Sequence, residues 1–214
     1  YVVITDLFPT AGIRERVERF AERVNRRVLA VDSVCTVPSG AFEKPEYAAR
    51  TIRPKIAKLL DHSIEPVADA LPRVAVSDAL RSSLRATVSE GGLSLMPIAT
   101  MSDADIAAAV SACDIDHSVP AVSLLGGSVA AAERLAAFVS RELMPYAERR
   151  NEASVSDGTS RLSPYLHFGQ IASARVVREA RASGASAESL DAFVQQVTTW
   201  RELAYNWCIR TRNF

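Results

Sequence analysis

The stretch that decides the fold runs from Thr159 to Ala172 and reads TSRLSPYLHFGQIA. Its first five residues carry three hydroxyls, those of Thr159, Ser160 and Ser163, and lie between two predicted helices. Such a turn offers backbone N–H groups and hydroxyls together, which suits phosphate or pyrophosphate oxygens, and the following helix N-terminus adds a favourable dipole. Taken alone, these residues favour the simpler interpretation of a loop that only caps the next helix.

Helices are predicted on both sides of this turn. Upstream, Ser128 is expected to cap a long helix that reaches about Arg150 and that Pro145 bends near its end. Downstream, the spacing of apolar residues predicts one helix over about 171–183 and another from about Ala187 to the end of the chain.

The first sixty residues combine strands and helices. The β-branched run Tyr1–Ile4 predicts a buried strand, the apolar stripe over 13–24 a helix, and Arg27–Val31 a second strand. A strand, a helix and a strand within ~30 residues form a βαβ unit, which predicts a parallel sheet. A helix is predicted over 47–60, although Pro54 should kink or break it.

The middle of the chain is predicted to be a connector with short helices. Residues 61–76 contain prolines without a clear period, and residues 90–101 are expected to be irregular. A Ser-Asp pair begins a helix over 77–88, and a second such pair caps a helix over 102–112. The chain is therefore predicted to be α/β in its first third and all-α afterwards.

Composition excludes few functions. The chain has 214 residues, of which 48% are hydrophobic, and its 25 basic side chains balance 25 acidic ones. Overall charge therefore gives no support to a nucleic-acid partner, and any basic surface would have to be local. Cys35, Cys113 and Cys208 match no metal-ligand spacing, so we expect no metal and reduced thiols in a cytoplasmic protein. No apolar run reaches the ~18 residues of a membrane span.

Both ends predict a chain cut from something longer. Tyr1 opens an apolar strand with no lead-in and no Met, and the last residues, Arg212 to Phe214, stop without a helix cap.

The turn closely resembles the flavin-cradling motif of the photolyase and cryptochrome superfamily, and its LHFGQ part resembles the class II branch. In that family the turn wraps the pyrophosphate of FAD. The resemblance implies that five residues line the FAD phosphates: Thr159, Ser160, Arg161, Leu162 and Ser163. His167 is interpreted instead as a helix-packing residue.

Residues 146–151, YAERRN, resemble the family's Tyr-x-x-x-Arg-Asn pattern. The resemblance implies that Tyr146 contacts FAD and that Arg150 faces DNA, where it would supply charge for a phosphate. On the residues alone, Arg149 and Arg150 are a solvated pair at a helix C-terminus, which the helix dipole favours.

Residues 44–56, KPEYAARTIRPKI, match a class II stretch that in the family belongs to the α/β antenna domain and its exit. Arg50, Arg53 and Lys55 could form a phosphate patch, but packing and salt bridges are the preferred interpretation.

Residues 193–208, FVQQVTTWRELAYNWC, resemble the family helix between flavin and DNA. The resemblance implies that Gln196 and Trp200 stand at the substrate as catalytic residues and that Arg201 binds DNA. Class II enzymes usually carry glutamates at Gln195 and Gln196, and a second arginine at Trp200. A glutamine can donate a hydrogen bond but cannot give up a proton at neutral pH, so these changes weaken the case for efficient repair.

Trp200 and Trp207 lie seven residues apart on one helical face. They could stack on a flipped base or relay electrons, or be core aromatics at heptad spacing. We favour the core for Trp207 and leave both interpretations open for Trp200.

The resemblance covers nearly the whole chain and implies a class II photolyase, in which excited reduced FAD passes an electron to a cyclobutane pyrimidine dimer flipped out of DNA. We expect FAD, an antenna chromophore of unreadable identity, damaged DNA as partner, no membrane, and a monomer. A cryptochrome-like photoreceptor without repair is the alternative that Gln195 and Gln196 favour. An inert remnant and a generic nucleotide-binding α/β protein are further alternatives, although no Gly-rich phosphate loop follows either early strand.

The implied fold is a partial Rossmann-like parallel α/β antenna domain followed by the start of a helical FAD-binding domain. We place the α/β part at 1–62, an interdomain connector at 63–118 and the helical part at 119–214. A fragment that lacks both ends is expected to be inactive by itself.

Overall fold

A computed structural model of the chain describes residues 2–68, 70, 73–92 and 100–211. The chain divides into two compact units. The first combines Tyr1–Pro66 with Leu125–Phe214, and the second is Val67–Leu124. The first sixty residues thus pack in one unit with the helices that follow residue 124.

The first unit begins with the predicted βαβ arrangement. Strand β1 (Val2–Asp6) is followed by helix α1 (Ala11–Arg23) and strand β2 (Arg27–Val31). The two strands pair in parallel, with Val2 opposite Arg27 and Asp6 opposite Val31. The parallel α/β start and the helical remainder predicted from the sequence are both present; Tyr1, part of the predicted first strand, lies outside the described residues.

Helix α2 (Ala49–Ser63) buries Ile52, Ile56 and Leu60, which recur every four residues on one face. The helix runs through Pro54 without a break, so the expected break is wrong. Proline removes one hydrogen bond, to the carbonyl of the residue four positions earlier. That residue, Arg50, is exposed, so water can serve its carbonyl while the buried face holds the helix together.

The second unit contains helices α3 (Asp78–Glu90) and α4 (Asp103–Ser111), both close to their predicted bounds. The side chain of Ser77 accepts a hydrogen bond from the N–H of Leu80, and Ser102 forms a capping box with Asp105. These local hydrogen bonds explain why the sequence alone predicts both starts. Residues 93–99, within the stretch predicted to be irregular, lie outside the described residues.

The helix predicted over 128–150 is interrupted. Helix α5 (Ser128–Ala137) continues into a π-helical segment, Phe138–Glu142, and the chain then turns before helix α6 (Tyr146–Arg149). The expected capping role of Ser128 is wrong, because the N-cap is Gly127, whose φ of 102° favours glycine. The chain turns where Leu143 is fully buried and Pro145 cannot continue the helix.

Four helices complete the first unit: α7 (Ser163–His167), α8 (Ser173–Arg181), α9 (Ala187–Gln195) and α10 (Arg201–Arg210). A π-helical segment, Gln196–Trp200, joins α9 directly to α10. The predicted helix from Ala187 is therefore present as one helical rod as far as Arg210, and residues 212–214 lie outside the described residues.

Three aromatic rings form the centre of the helical core. Phe138 lies 5.7 Å from Tyr146 and 4.6 Å from Phe193, measured between ring centroids, and Tyr146 lies 5.3 Å from Phe193. The cluster joins the first π-helical segment to α6 and α9, and so positions the residues described next. Among the described residues, we find no helix with the length and apolar character needed to cross a membrane.

Candidate functional site

The hydroxyl-rich turn borders a cavity of about 500 Å³, here called the turn cavity. Its walls come from α6, the turn, α7, the end of α9, the second π-helical segment and α10. The lining residues are Tyr146, Thr159, Ser160, Arg161, Ser163, Leu166, His167, Phe193, Gln196, Val197, Arg201 and Tyr205. Five of the six residues that the resemblance assigns to FAD thus surround one space, together with Gln196 and Arg201.

Leu162 is the exception among the residues expected at the FAD phosphates. It is 1% exposed and belongs to the hydrophobic core, so its side chain does not line the turn cavity. Its backbone N–H donates to the hydroxyl of Ser160 at 3.4 Å. The side chain of Leu162 therefore anchors the turn to the core.

The backbone of the turn is held in an unusual conformation. Arg161 has φ of 53°, in the left-handed region that costs a residue with a Cβ about 1–2 kcal/mol. Its guanidinium donates to the carbonyl of Ser156 at 2.5 Å. On the other side, Arg134 donates to the carbonyl of Ser160 at 3.0 Å and pairs with Glu142. These contacts fix the turn from both sides.

Gly158 lets the chain approach α6 closely just before the turn. A Cβ on Gly158 would lie 2.7 Å from the carbonyl oxygen of Arg149, closer than any normal contact. Glycine is therefore required here by the close passage of two backbones.

The turn cavity is suited to an anion. Among the described residues that line it are two guanidinium groups, of Arg161 and Arg201, and no carboxylate. The hydroxyls of Thr159, Ser160 and Ser163 add neutral hydrogen-bond donors. Helix α7 has only five residues, so the predicted dipole contribution is small and the side chains dominate.

Tyr146 is 6% exposed and packs edge-on against Phe138 and Phe193. Burial raises the pKa of its phenol, and the nearby charge of Arg150 opposes this in part. Tyr146 is therefore a neutral hydrogen-bonding group at the wall of the turn cavity at neutral pH.

Gln196 lies at the junction of the turn cavity and a second space of about 380 Å³. This second space, here called the α2–α9 groove, is also lined by Arg150 and by Trp200, which is 49% exposed. The residues expected at the substrate and at DNA are thus brought together beside the turn cavity. Gln196 and Trp200 lie within the second π-helical segment, and Arg150 follows the first. Such segments occur often at functional sites.

Arg201 is half-buried at the wall of the turn cavity. Its guanidinium donates to the carbonyl of Val34 at 2.5 Å and lies 4.7 Å from the ring centroid of Tyr205. Part of its donor capacity is therefore used to hold the loop after β2.

Glu202 makes contacts that the sequence did not indicate. One carboxylate oxygen, Oε1, accepts the backbone N–H groups of Thr36 at 2.7 Å and Val37 at 3.0 Å, while Oε2 is buried with no hydrogen-bond partner among the described residues. Burial raises the pKa of Glu202 to about 7, against the two N–H donors and Arg201, which lower it. One signal for these contacts was available in the sequence. Glu202, Asn206 and Arg210 are spaced four residues apart, which places them on one face of a helix.

A third cavity, of about 300 Å³, adjoins the turn cavity and shares His167, Arg201 and Tyr205 with it. It reaches Asp6 and Ser33, whose side chains form a 2.7 Å hydrogen bond at the carboxyl ends of β1 and β2. We call it the strand-end cavity.

Two aromatic residues lie where the sequence did not predict them. His167 is exposed and lines two cavities, so its interpretation as a helix-packing residue is wrong. Trp207 is 41% exposed and contacts the exposed ring of Tyr47 edge-on at 6.0 Å, so its expected place in the core is wrong. Tyr205 also lines the turn cavity, and its four-residue spacing from Arg201 was the signal for it.

Comparison with known proteins gives one consistent result. No family model matches the chain. It is 30% identical over 215 residues to a deoxyribodipyrimidine photo-lyase of Arabidopsis thaliana, covering 96% of this chain and 40% of that protein. Proteins of the same name from Oryza sativa and Potorous tridactylus are 28% and 27% identical, over 96% and 99% of this chain and 39% and 37% of their own. The chain spans about two fifths of these relatives, and over that span it is similar to proteins named deoxyribodipyrimidine photo-lyase.

Proposed function

We propose that this chain is part of a class II photolyase that repairs cyclobutane pyrimidine dimers in DNA by light, and that the turn cavity holds the diphosphate of FAD. The observation that carries this proposal is the convergence of Thr159, Ser160, Ser163 and Arg161 on one cavity with Tyr146. Hydroxyl donors and a guanidinium, with no carboxylate among the described lining residues, are complementary to a diphosphate.

The size of the turn cavity is compatible with this assignment. Its volume of about 500 Å³ lies within the range of ~300–1,000 Å³ that is common for cofactor sites. The strain stored at Arg161 supports a ligand-binding role, because residues in sparsely populated conformations cluster at such sites. The strand-end cavity is the place that we propose for an antenna chromophore, since ligands of open parallel sheets bind at the carboxyl ends of strands.

The proposed roles of the side chains follow from their positions. Reduced FAD, when bound, would absorb blue light and supply one electron that opens the cyclobutane ring and then returns to the flavin. Gln196, which borders both the turn cavity and the α2–α9 groove, would donate a hydrogen bond to the dimer. Trp200 offers an exposed indole face for stacking, and Arg150 a cation for a phosphate of the damaged strand.

A photoreceptor without repair activity is the second candidate. The feature that favours it is Gln196, because a carboxamide beside the flavin diphosphate can orient a substrate but cannot transfer a proton to it. Both candidates require FAD, and they differ in what happens to a dimer.

A light-dependent repair assay separates the two candidates. The purified full-length protein that contains this chain, loaded with reduced FAD, is mixed with an oligonucleotide that carries one cyclobutane thymine dimer, and the dimer is quantified after blue light and in the dark. We expect loss of the dimer only in the light, with a lower yield for Gln196→Ala and a higher yield for Gln196→Glu. A flavin-loaded protein that leaves the dimer intact in both conditions would contradict repair and support the photoreceptor.

A further inference from the structure

The α2–α9 groove contains a cation that the proposed function has not used. Arg53, on helix α2, lines this groove together with Arg150, Gln195 and Trp200. Arg53 is exposed, and among the described residues its guanidinium has no hydrogen bond and no ion pair. The expectation that salt bridges occupy this segment holds for Lys55, which pairs with Glu46, but not for Arg53.

Among the described residues, neither carboxylate of the groove forms an ion pair with Arg53. Asp191 accepts the amide N–H groups of Gln195, with both oxygens 3.2 Å from Nε2. Glu188 lies in the first turn of α9, where the helix N-terminus stabilises a negative charge. Arg53 therefore remains available for an anion that comes from outside.

A second unused group points to a ligand in the same place. Oε1 of Gln195 is buried and has no hydrogen-bond partner among the described residues. The orientation of the amide is fixed, because exchanging its nitrogen and oxygen would place the carbonyl against the carboxylate of Asp191. A buried acceptor without a donor costs about 1–3 kcal/mol, so the packing around Gln195 is not optimised for stability alone.

Together these groups are complementary to a nucleotide. The groove offers two guanidinium groups for phosphate oxygens and a half-exposed indole for stacking on a base. We propose that Arg53 is a further DNA-binding residue, which binds a backbone phosphate of the nucleotide that stacks on Trp200. This inference rests on the proposed function, because it takes damaged DNA as the ligand.

The salt dependence of DNA binding tests the role of Arg53. The affinity of the flavin-loaded protein for an oligonucleotide with one cyclobutane thymine dimer is measured at several salt concentrations. For Arg53→Ala we expect a loss of about tenfold at low salt and a decrease of about 0.9 in the slope of log affinity against log salt, as for one lost phosphate contact. Arg53→Lys should keep most of the slope.

Arg50 provides the matched control. It is also an exposed arginine of α2, three residues earlier, and it does not line the turn cavity, the strand-end cavity or the α2–α9 groove. Arg50→Ala should leave affinity and slope unchanged. The urea midpoint of each variant is recorded, so that a folding defect is not taken for a binding defect.

The outcomes distinguish this inference from the proposed function. If wild type binds the damaged DNA and Arg53→Ala has the same salt slope, Arg53 is not a phosphate contact and only the inference fails. A lower urea midpoint with an unchanged slope would assign Arg53 a structural role, and would also overturn the inference. If wild type binds FAD but no DNA, both the inference and the repair proposal fail.

Discussion

The carboxyl group of Glu202 is buried between a helix and the loop that follows β2. Two backbone N–H groups serve one of its oxygens, and no described group serves the other. Two titratable side chains interact electrostatically with Glu202: Arg201 on its own helix and Cys35 in the loop. Cys35 in turn interacts with Asp32. Because burial outweighs the attractive contacts, Glu202 holds its proton to a higher pH than an exposed glutamate does.

Glu202 is expected to make stability depend on pH. The folded protein keeps the proton up to the raised pKa of about 7, whereas the unfolded chain releases it above about 4.5. Stability from this group is therefore complete below pH 4.5 and is lost as the pH rises through 7. Glu202→Gln, which cannot ionise, should gain about 3 kcal/mol relative to wild type between pH 4.5 and pH 8, measured by urea unfolding. A difference that stays constant with pH would contradict a buried neutral acid.

Two substitutions of Arg161 are expected to differ in stability but to weaken ligand binding equally. Its left-handed backbone favours glycine, so Arg161→Gly should be about 1 kcal/mol more stable than Arg161→Ala, the reverse of the usual order. Both variants lose the guanidinium at the turn cavity and should bind FAD about tenfold more weakly than wild type. Urea unfolding and FAD titration measure the two effects; an alanine variant as stable as the glycine variant would argue against strain at this position.

At the scale of elements, one face of α10 holds the loop after β2 by its backbone. Arg201 binds the carbonyl of Val34, and Asn206 accepts the N–H of Glu46 at 2.7 Å. Arg210 donates to the carbonyls of Ser39 and Phe42. Since α10 also contributes to the turn cavity, the loop and the cavity share one support.

Asn206→Ala should destabilise the protein by about 1–3 kcal/mol, because it leaves the buried N–H of Glu46 without an acceptor. Ala204→Ser, a substitution at an exposed position of the same helix, should change stability by less than about 0.5 kcal/mol. Thermal unfolding of the two variants provides the comparison. Equal stability of Asn206→Ala and wild type would mean that α10 does not hold the loop through this bond.

Elements with local signals could be predicted from the sequence, and those with tertiary causes could not. The capped starts of α3 and α4 and the βαβ unit depend on neighbouring residues, and they are where the sequence placed them. The interruption between Phe138 and Tyr146 has a local cause in Pro145, which the sequence indicated, and a tertiary cause in the burial of Leu143, which it did not. The two π-helical segments likewise lie beside the packed rings of Phe138 and Phe193, and no local pattern in the sequence indicated them.

At the scale of the whole molecule, the candidate site was likewise predicted in part from the sequence, and the rest depends on tertiary packing. The resemblance pointed to the turn and to Tyr146 together, and the fold places them on one cavity. It gave no reason to expect Leu162 in the core, Trp207 at the surface, or Arg53 beside Trp200. These positions depend on how α2, α9 and α10 pack, which residue spacing along one helix does not determine.

A diphosphate site is most directly tested by comparing flavins with and without one. Equilibrium dialysis of the purified full-length protein that contains this chain should show that FAD is retained, that ADP competes for the same site, and that riboflavin, which has no phosphate, binds at least about tenfold more weakly. If the turn cavity holds the diphosphate, Ser160→Ala and Arg161→Ala should weaken the binding of FAD but not of riboflavin, because both residues line that cavity. Riboflavin that binds as tightly as FAD, or no retention of FAD at all, would contradict a diphosphate in the turn cavity.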